Sequence, residues 1–398
     1  MFLLCSAMIL SHKIQLIPSQ TDVSYFYRAA GTARFAYNWA LAEWNKLYLA
    51  HRSDPDNNPK PKENELRKKL NSIKRTEFPW MLEVTKCAPQ LAIKDWLSAA
   101  FRNFFNGTGR YPKFKKKGQR DSFKLSNDLV KVQGNYVNIP KLGWVRMRER
   151  IRFEGKNLSA TVSRTADRWF VSFQVDLGDA LQQNNENQVV LGVDLGLADY
   201  LTTSQGEKLA SLSPLKDGLK KLQKLSRSLS RKRKGSANWK KAKLALSRLH
   251  MRIANQRRDV LHKASTQLAQ QADVICIEDL QVRNMIKNRR LSRSISDAAW
   301  REFRIMLDYK LTKMGKELVV ADKFFASSKL CSDCGEKNVD LKLQHRTWQC
   351  VCCGTQHDRD VNAAVNLRNY AGSCLAGRSD DLPNACGEKS SGLSLYAM

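Results

Sequence analysis

No apolar run in this chain of 398 residues approaches the roughly 18 residues that a membrane-spanning helix needs. Acids are scarce as well: 38 Asp and Glu stand against 68 Lys and Arg, a net charge of +30. The first shortage excludes helical membrane spans. The second means that the chain repels itself until a polyanion neutralises it, and the polyanion that fits is a nucleic acid. A membrane surface fits less well, because the basic segments alternate with polar ones along most of the chain. Neither a membrane nor a small-molecule substrate is therefore expected as partner. The opening MFLLCSAMIL is apolar but short and lacks a basic stretch, so a secretory signal is not expected, and Met8 is a candidate true start. What remains is an ordinary apolar fraction and room for two or three domains.

Five of the ten cysteines, Cys331, Cys334, Cys350, Cys352 and Cys353, fall in one short window. Such clustering reads as metal binding in a reducing compartment, so a cytoplasmic location is expected, nucleoid-associated when bound to DNA. Cys331-Ser-Asp-Cys334 is followed after fifteen residues by Cys350-Val-Cys-Cys353, and Gly335 and Gly354 each follow a second cysteine. This is the spacing of a four-thiolate Zn²⁺ site, closed and structural. Cys352 competes with Cys350, but the two-residue spacing favours Cys350 with Cys353. A redox C-x-x-C would need one pair in a thioredoxin-like βαβ setting.

Residues 11–17 alternate like a strand, and helical spacing of aromatics follows from Thr21 to about Leu49. A Pro/Asn-rich break at 57–62 precedes a second helical stretch from Leu91 to Phe105. YPKFKKKGQR (Tyr111 to Arg120) is basic with interleaved aromatics, and Lys113, Lys115, Lys116 and Lys117 are candidate phosphate contacts. Residues 121–176 read as β-rich and 181–188 as a polar linker. The pattern then turns α/β: a buried strand at 189–195, two more around Ser204-Gln205-Gly206, and a long helical pair from Pro214 to about Gln270 with its turn at Lys234-Gly235-Ser236. From Lys216 to Lys263 there are seventeen Lys or Arg against two acids. A stripe so charged matches a nucleic-acid backbone track, with Arg231, Lys232, Arg233 and Lys234 at its turn. Strands at 272–280 and 317–322, helices at 298–314 and 360–370, and a Gly/Ser-rich tail from Gly372 complete the chain.

Asp194 and Glu278 each end an apolar strand, where a carboxylate is costly unless paired or metal-bound. DRDVNAAVN (Asp358 to Asn366) supplies a third acid at a helix start. Three converging acids can hold two divalent cations that activate water and stabilise the leaving oxygen of a phosphodiester. Two Mg²⁺ ions suit this, and Mn²⁺ accepts the same oxygen ligands. Asp358 is the better helix cap and Asp360 the expected ligand.

These segments resemble the OrfB/TnpB family of insertion-sequence proteins, related to the type V CRISPR effectors. The likeness runs from about residue 13 to 371. It is carried by GTARFAYNWAL (Gly31 to Leu41), FPWMLEV (Phe78 to Val84), YPKFKKK, IPKLGWVRM (Ile139 to Met147), GVDLGL, SRKRKGSANWKKAK, NRRLSRSISDAAWREF (Asn288 to Phe303), the paired C-x-x-C with RTWQC, and HDRDVNAAVN. The resemblance implies a multidomain α/β fold. Residues 1–20 and 111–180 form a split wedge-like β-barrel, and 21–110 form an inserted helical recognition domain. An RNase H-like RuvC nuclease domain spans 181–327, with the basic hairpin at 214–270. A zinc ribbon inserts at 328–356, the last RuvC helix covers 357–371, and 372–398 is a disordered tail. It further implies an RNA-guided DNA endonuclease that binds a guide RNA from the transposon end, recognises a short target-adjacent motif and cleaves double-stranded DNA in a single RuvC site. By position Asp194, Glu278 and Asp360 match the catalytic acids, and Cys331, Cys334, Cys350 and Cys353 the zinc ligands. Lys86 and Gln90 fall where relatives contact the adjacent motif. Arg289 and Arg290 join the expected nucleic-acid contacts. Two other readings stay open: a transposase acting on transposon ends by strand transfer, and a non-cleaving nucleic-acid-binding regulator.

Overall fold

A computed structural model describes residues 8–178, 188–211, 214–342 and 344–377. The expected linker thus lies almost wholly outside the described residues, as does residue 378 onward. Two compact units meet in sequence at residue 179.

In the first unit β1 (Ile9–Ile17) leads into α1 (Gln20–Ser53). The helix starts where Ser19 and Asp22 form a reciprocal capping box. Helix α2 (Glu63–Ile73) follows, then α3 (Cys87–Leu91), a π-helical turn (Ala92–Leu97) and α4 (Ser98–Phe105). Strands β2 (Ser122–Ser126), β3 (Lys131–Gln133), β4 (Tyr136–Ile139), β5 (Gly143–Met147), β6 (Lys156–Thr165) and β7 (Arg168–Asp176) complete the unit. All pairings are antiparallel. Alternation puts Trp169, Val171, Phe173 and Val175 of β7 inside. They join a core with Phe26, Ala29, Ala33 and Leu41 of α1. Tyr25 ties the layers together: its hydroxyl donates to the Pro140 carbonyl (2.7 Å) and accepts from the Thr85 N–H (2.9 Å).

The barrel implied by the resemblance is not closed. The strand order is β2-β6-β7-β1-β5-β4-β3, an open sheet whose edges β2 and β3 do not pair. The reason lies in β1, which pairs with β7 over Ile9–Gln15 and passes to β5 at Leu16–Ile17. The sheet therefore ends at the three-residue β3 on one side and at β2 on the other.

The second unit is built on a five-stranded sheet, order β10-β9-β8-β11-β12. Its elements are β8 (Val190–Leu195), β9 (Asp199–Thr203), β10 (Lys208–Ala210), α5 (Pro214–Ser230), α6 (Ala237–Gln271), β11 (Val274–Ile277), α7 (Val282–Met285), α8 (Ser292–Ala298), α9 (Trp300–Lys313) and β12 (Glu317–Val320). The hairpin β13 (Thr347–Gln349) and β14 (Gln356–Asp358) then leads into α10 (Arg359–Ala376). β11 runs parallel to both β8 and β12 and is buried throughout, which is why VICI reads as one apolar run. Its Ile275 and Ile277 face α6 and α9, through Leu268 and Phe303 among others, while Val274 and Cys276 face Leu367 and Ala371 of α10. Helix α10 lies so close to β8 that a Cβ on Gly192 would sit 1.9 Å from the Ala364 carbonyl oxygen. α10 also continues to Ala376, with Ala371 and Cys374 buried. Residues 372–376, expected in a disordered tail, are therefore helical, held by the packing of this last turn.

Two expectations follow. Gly192→Ala should cost at least the roughly 3 kcal/mol upper end of overpacking, read as a lowered Tm, because backbone and not a flexible side chain blocks the new methyl. His12 is buried, accepts from the Arg152 N–H at Nδ1 (3.2 Å), and is held below its ordinary pKa of 6.5 by burial and then by Arg152. Its neutral form therefore stabilises the fold above pH 6.5, and that contribution is lost as pH falls through the depressed folded value. His12→Asn should show a smaller loss of urea stability between neutral pH and pH ~5 than the unsubstituted protein.

Candidate active site and metal cluster

The alternation that turns Leu191, Val193 and Leu195 toward α6 and α9 turns Asp194 to the opposite face, the one α10 covers. Glu278 directly follows β11, whose Ile277 pairs with Val193. Both acids thus lie at the carboxyl ends of adjacent parallel strands, where α/β sheets build sites. Asp360 comes from the first turn of α10. Asp358 caps that helix, its carboxylate accepting from the Asp360 N–H (3.0 Å) and the Val361 N–H (3.1 Å).

The electrostatics show that the three acids share one locale. Burial, then the charge of Glu278, then that of Asp360 push Asp194 up to about 8, against the pull of Arg359. Glu278 is raised by burial and held back by a hydrogen bond from the Ser327 hydroxyl. Asp360 is engaged by two guanidiniums: Arg359 Nη2 donates to Oδ1 (2.8 Å) and Arg346 Nη1 to Oδ2 (3.1 Å). Asp358, despite its burial, is drawn below the usual carboxylate range by Lys208 (2.6 Å) and the helix N–H groups. The neighbouring Asp279 accepts from Arg304 (2.9 Å), a structural pair. With Asp360 drawn onto arginines, the carboxylates do not draw into a set as tight as the cysteines; among the described residues only the cysteines do so.

Those cysteines are Cys331, Cys334, Cys350 and Cys353, with sulfurs all within 4.8 Å of one another. Cys331 to Cys353 and Cys334 to Cys350 are each 3.6 Å. A tetrahedral ion with metal–sulfur bonds of about 2.3 Å sets sulfur edges of about 3.8 Å, so the cluster fits one ion. The two halves repeat one turn. Gly335 (φ 78°) donates to the Cys331 carbonyl and Gly354 (φ 75°) to that of Cys350, and only the left-handed region allows this turn. Cys352 is exposed and outside the cluster. His357, buried against Trp348, places Nε2 3.1 Å from the Cys331 sulfur.

The expected nucleic-acid contacts divide by exposure. Lys113, Lys116, Lys117, Lys86, Arg231, Arg233, Lys234, Arg289 and Arg290 are exposed, whereas Gln90 and Lys232 are half-buried. Lys115 departs from the expectation: its ammonium lies 4.1 Å from both the Tyr37 and Trp96 ring centres, and burial lowers it to about 8. It anchors the basic loop to α1 instead of facing solvent. Sequence reasoning also missed Ser327 and Arg346. Arg346 carried a visible signal, a cation inside RTWQC, whereas Ser327 meets Glu278 across 49 residues and carried none.

A protein of Streptomyces pristinaespiralis named "Putative RNA-guided DNA endonuclease" is 36% identical over 361 residues, spanning 89% of this chain and 87% of that one. The chain belongs to the OrfB/TnpB family. Residues 171–289 match the family described as "Probable transposase", 300–367 the Cas12f1-like TNB domain, and 8–53 a "Helix-turn-helix domain". In this OrfB/TnpB chain, residues 9–53 are a strand and one long helix. An Escherichia coli relative, "Putative RNA-guided DNA endonuclease InsQ", is 33% identical over 92% of each chain. A Cas12f1–sgRNA–target DNA complex solved by cryo-EM shares the fold, with TM-score 0.54, 14% identity, and coverage of 89% of this chain and 84% of that one.

Removing one ligand sulfur should be distinguishable from removing the bystander. Cys350→Ser is expected to lose bound metal and lower the melting temperature, and Cys352→Ser to retain both, as measured by elemental analysis and thermal unfolding.

Proposed function

We propose that this protein is an RNA-guided, metal-dependent DNA endonuclease with Asp194, Glu278 and Asp360 as its acids. The observation that carries the reading is the half-buried Asp194 at the end of β8, raised by burial and by two further carboxylates. Such an arrangement is unfavourable for the free protein and favourable once divalent cations bind. The relatives named as RNA-guided DNA endonucleases support the substrate and the guide. Asp194, Glu278 and Asp360 would hold two Mg²⁺ ions, or Mn²⁺, whose chemistry would be to acidify water and to neutralise charge on a leaving oxygen.

The chain's own residues do the rest. β8 and β11 hold Asp194 and Glu278 at fixed spacing, and the Asp358 cap fixes the turn from which Asp360 projects. Arg346, with a side chain 55% exposed, can pass from Asp360 to a phosphate oxygen. Cys331, Cys334, Cys350 and Cys353 would hold a structural zinc. The exposed cations of the α5–α6 turn, of 113–117 and of 289–290 would follow nucleic-acid backbone, the guide coming from the transposon end. Lys86 and Gln90, one helical turn apart, would meet the target-adjacent motif.

The first test is to sequence the RNA that co-purifies when the protein is expressed beside its native flanking DNA. A single discrete RNA ending in flank-derived sequence is expected, with cleavage of a matched plasmid. Asp194→Ala should retain that RNA yet lose cleavage by more than the roughly hundredfold that loss of an outer-shell partner costs. Cleavage that persists in Asp194→Ala would overturn the assignment of the acids. End joining by RNA-free protein would instead establish strand transfer.

A further inference from the structure

HDRDVNAAVN contains two asparagines that the acid site does not use. Asn362 and Asn366 are both buried and lie four residues apart, on one face of α10. Buried amides are expensive unless their hydrogen bonds are made, and here they are made to one segment. Asn366 Nδ2 donates to the carbonyls of Ser327 (2.8 Å) and Leu330 (2.7 Å). Asn362 Nδ2 donates to Leu330 (2.7 Å), and its Oδ1 accepts from the Ser332 N–H (2.9 Å). The segment 327–332 joins β12 to the first cysteine turn, and it is clamped to the helix that carries Asp360.

The same segment reaches the other side of the site. Ser327, only 2% exposed, donates its hydroxyl to Glu278 Oε1. A glutamate one residue beyond a strand has three side-chain torsions to fix, and the acids facing it repel it. With Oε1 engaged by Ser327, rotation about the carboxyl is restricted and Oε2 is left for a ligand. The clamp explains why a serine can do this: its carbonyl is held by Asn366, so the hydroxyl has a fixed origin.

We propose that Ser327 is the positioning residue that orients Glu278 as a metal ligand, and that the base of the cysteine ribbon, pinned to α10 by Asn362 and Asn366, holds it in place. The inference rests on the nuclease reading above. It gives the ribbon a role inside the acid site: the loop that starts the metal cluster also sets one of the catalytic carboxylates.

The test uses the full chain with its co-purified RNA and reads two quantities, Mn²⁺ binding by electron paramagnetic resonance and the Mg²⁺ dependence of plasmid cleavage. Outer-shell partners of metal ligands are worth about 10–100-fold in affinity or activity. Ser327→Ala should therefore weaken Mn²⁺ binding and raise the Mg²⁺ concentration for half-maximal cleavage by about tenfold or more, with saturating Mg²⁺ restoring most of the rate. Ser327→Thr, which keeps the hydroxyl, should return both toward the parent values. If Ser327→Ala loses its zinc or its cooperative melt, Ser327→Cys, of similar size but a weaker donor, takes its place and should fall between parent and alanine. Parent-like Mn²⁺ affinity and Mg²⁺ dependence in a folded, zinc-loaded alanine variant overturn the proposal. A parent protein that neither binds Mn²⁺ nor cleaves, indistinguishable from Asp194→Ala, overturns the nuclease reading instead.

Discussion

Helix α10 rests on strand β8 with backbone against backbone, a contact possible only because position 192 has no side chain. Much of the second unit depends on that approach. It brings a helix start over a strand end, and so sets the charge of Asp360 near enough to raise Asp194, beside the larger effects of burial and Glu278. The resulting repulsion is a standing cost of folding. The protein offsets it locally, through the guanidiniums of Arg346 and Arg359 on Asp360 and the Ser327 hydroxyl on Glu278.

The cysteine cluster is continuous with this site. β13 and β14 pair Trp348 with His357 and Thr347 with Asp358, so the hairpin ends on the residue that caps α10. Among the described residues the ribbon's own core is Cys331, Leu341, Trp348 and Cys350, too little apolar surface to fold unaided. An ion held by the four thiolates would supply what that core lacks. The ribbon is thus joined to the acids along two routes, β14 to Asp358 and the segment 327–332 to Glu278.

The positive charge is also apportioned by the fold. At the base of the α5–α6 hairpin, Arg257 pairs with the buried Asp297 and Arg258 with Glu302 (2.8 Å). Toward the turn, Arg231, Arg233 and Lys234 stand exposed. Gly218 allows α5 to close on Ile253 of α6, which keeps the two helices together despite their shared sign. Cations near the sheet therefore build the protein, and those at the far end of the hairpin remain available to a polyanion.

Several features could be read without coordinates because each depends on local chemistry. The buried runs VVLGVDL and VICI mark strands, alternating β-branched and aromatic residues mark the antiparallel sheet, and cysteine spacing with Gly335 and Gly354 marks the metal cluster. The mixed α/β class and the OrfB/TnpB family followed from these. The Asp358 cap was also legible, since capping is decided within three residues. What the sequence could not decide depends on groups far apart in the chain. Whether the first sheet closes turns on where β1 changes partner. Lys115 turns inward because Tyr37 and Trp96 meet around it, and α10 outruns its expected end because Ala371 and Cys374 find a surface to cover. The arginines on Asp360 and the serine on Glu278 belong to the same class. Local propensity and spacing act between neighbours in sequence and were determined by it. Long-range packing chose which buried groups meet, and only the tertiary structure holds that choice.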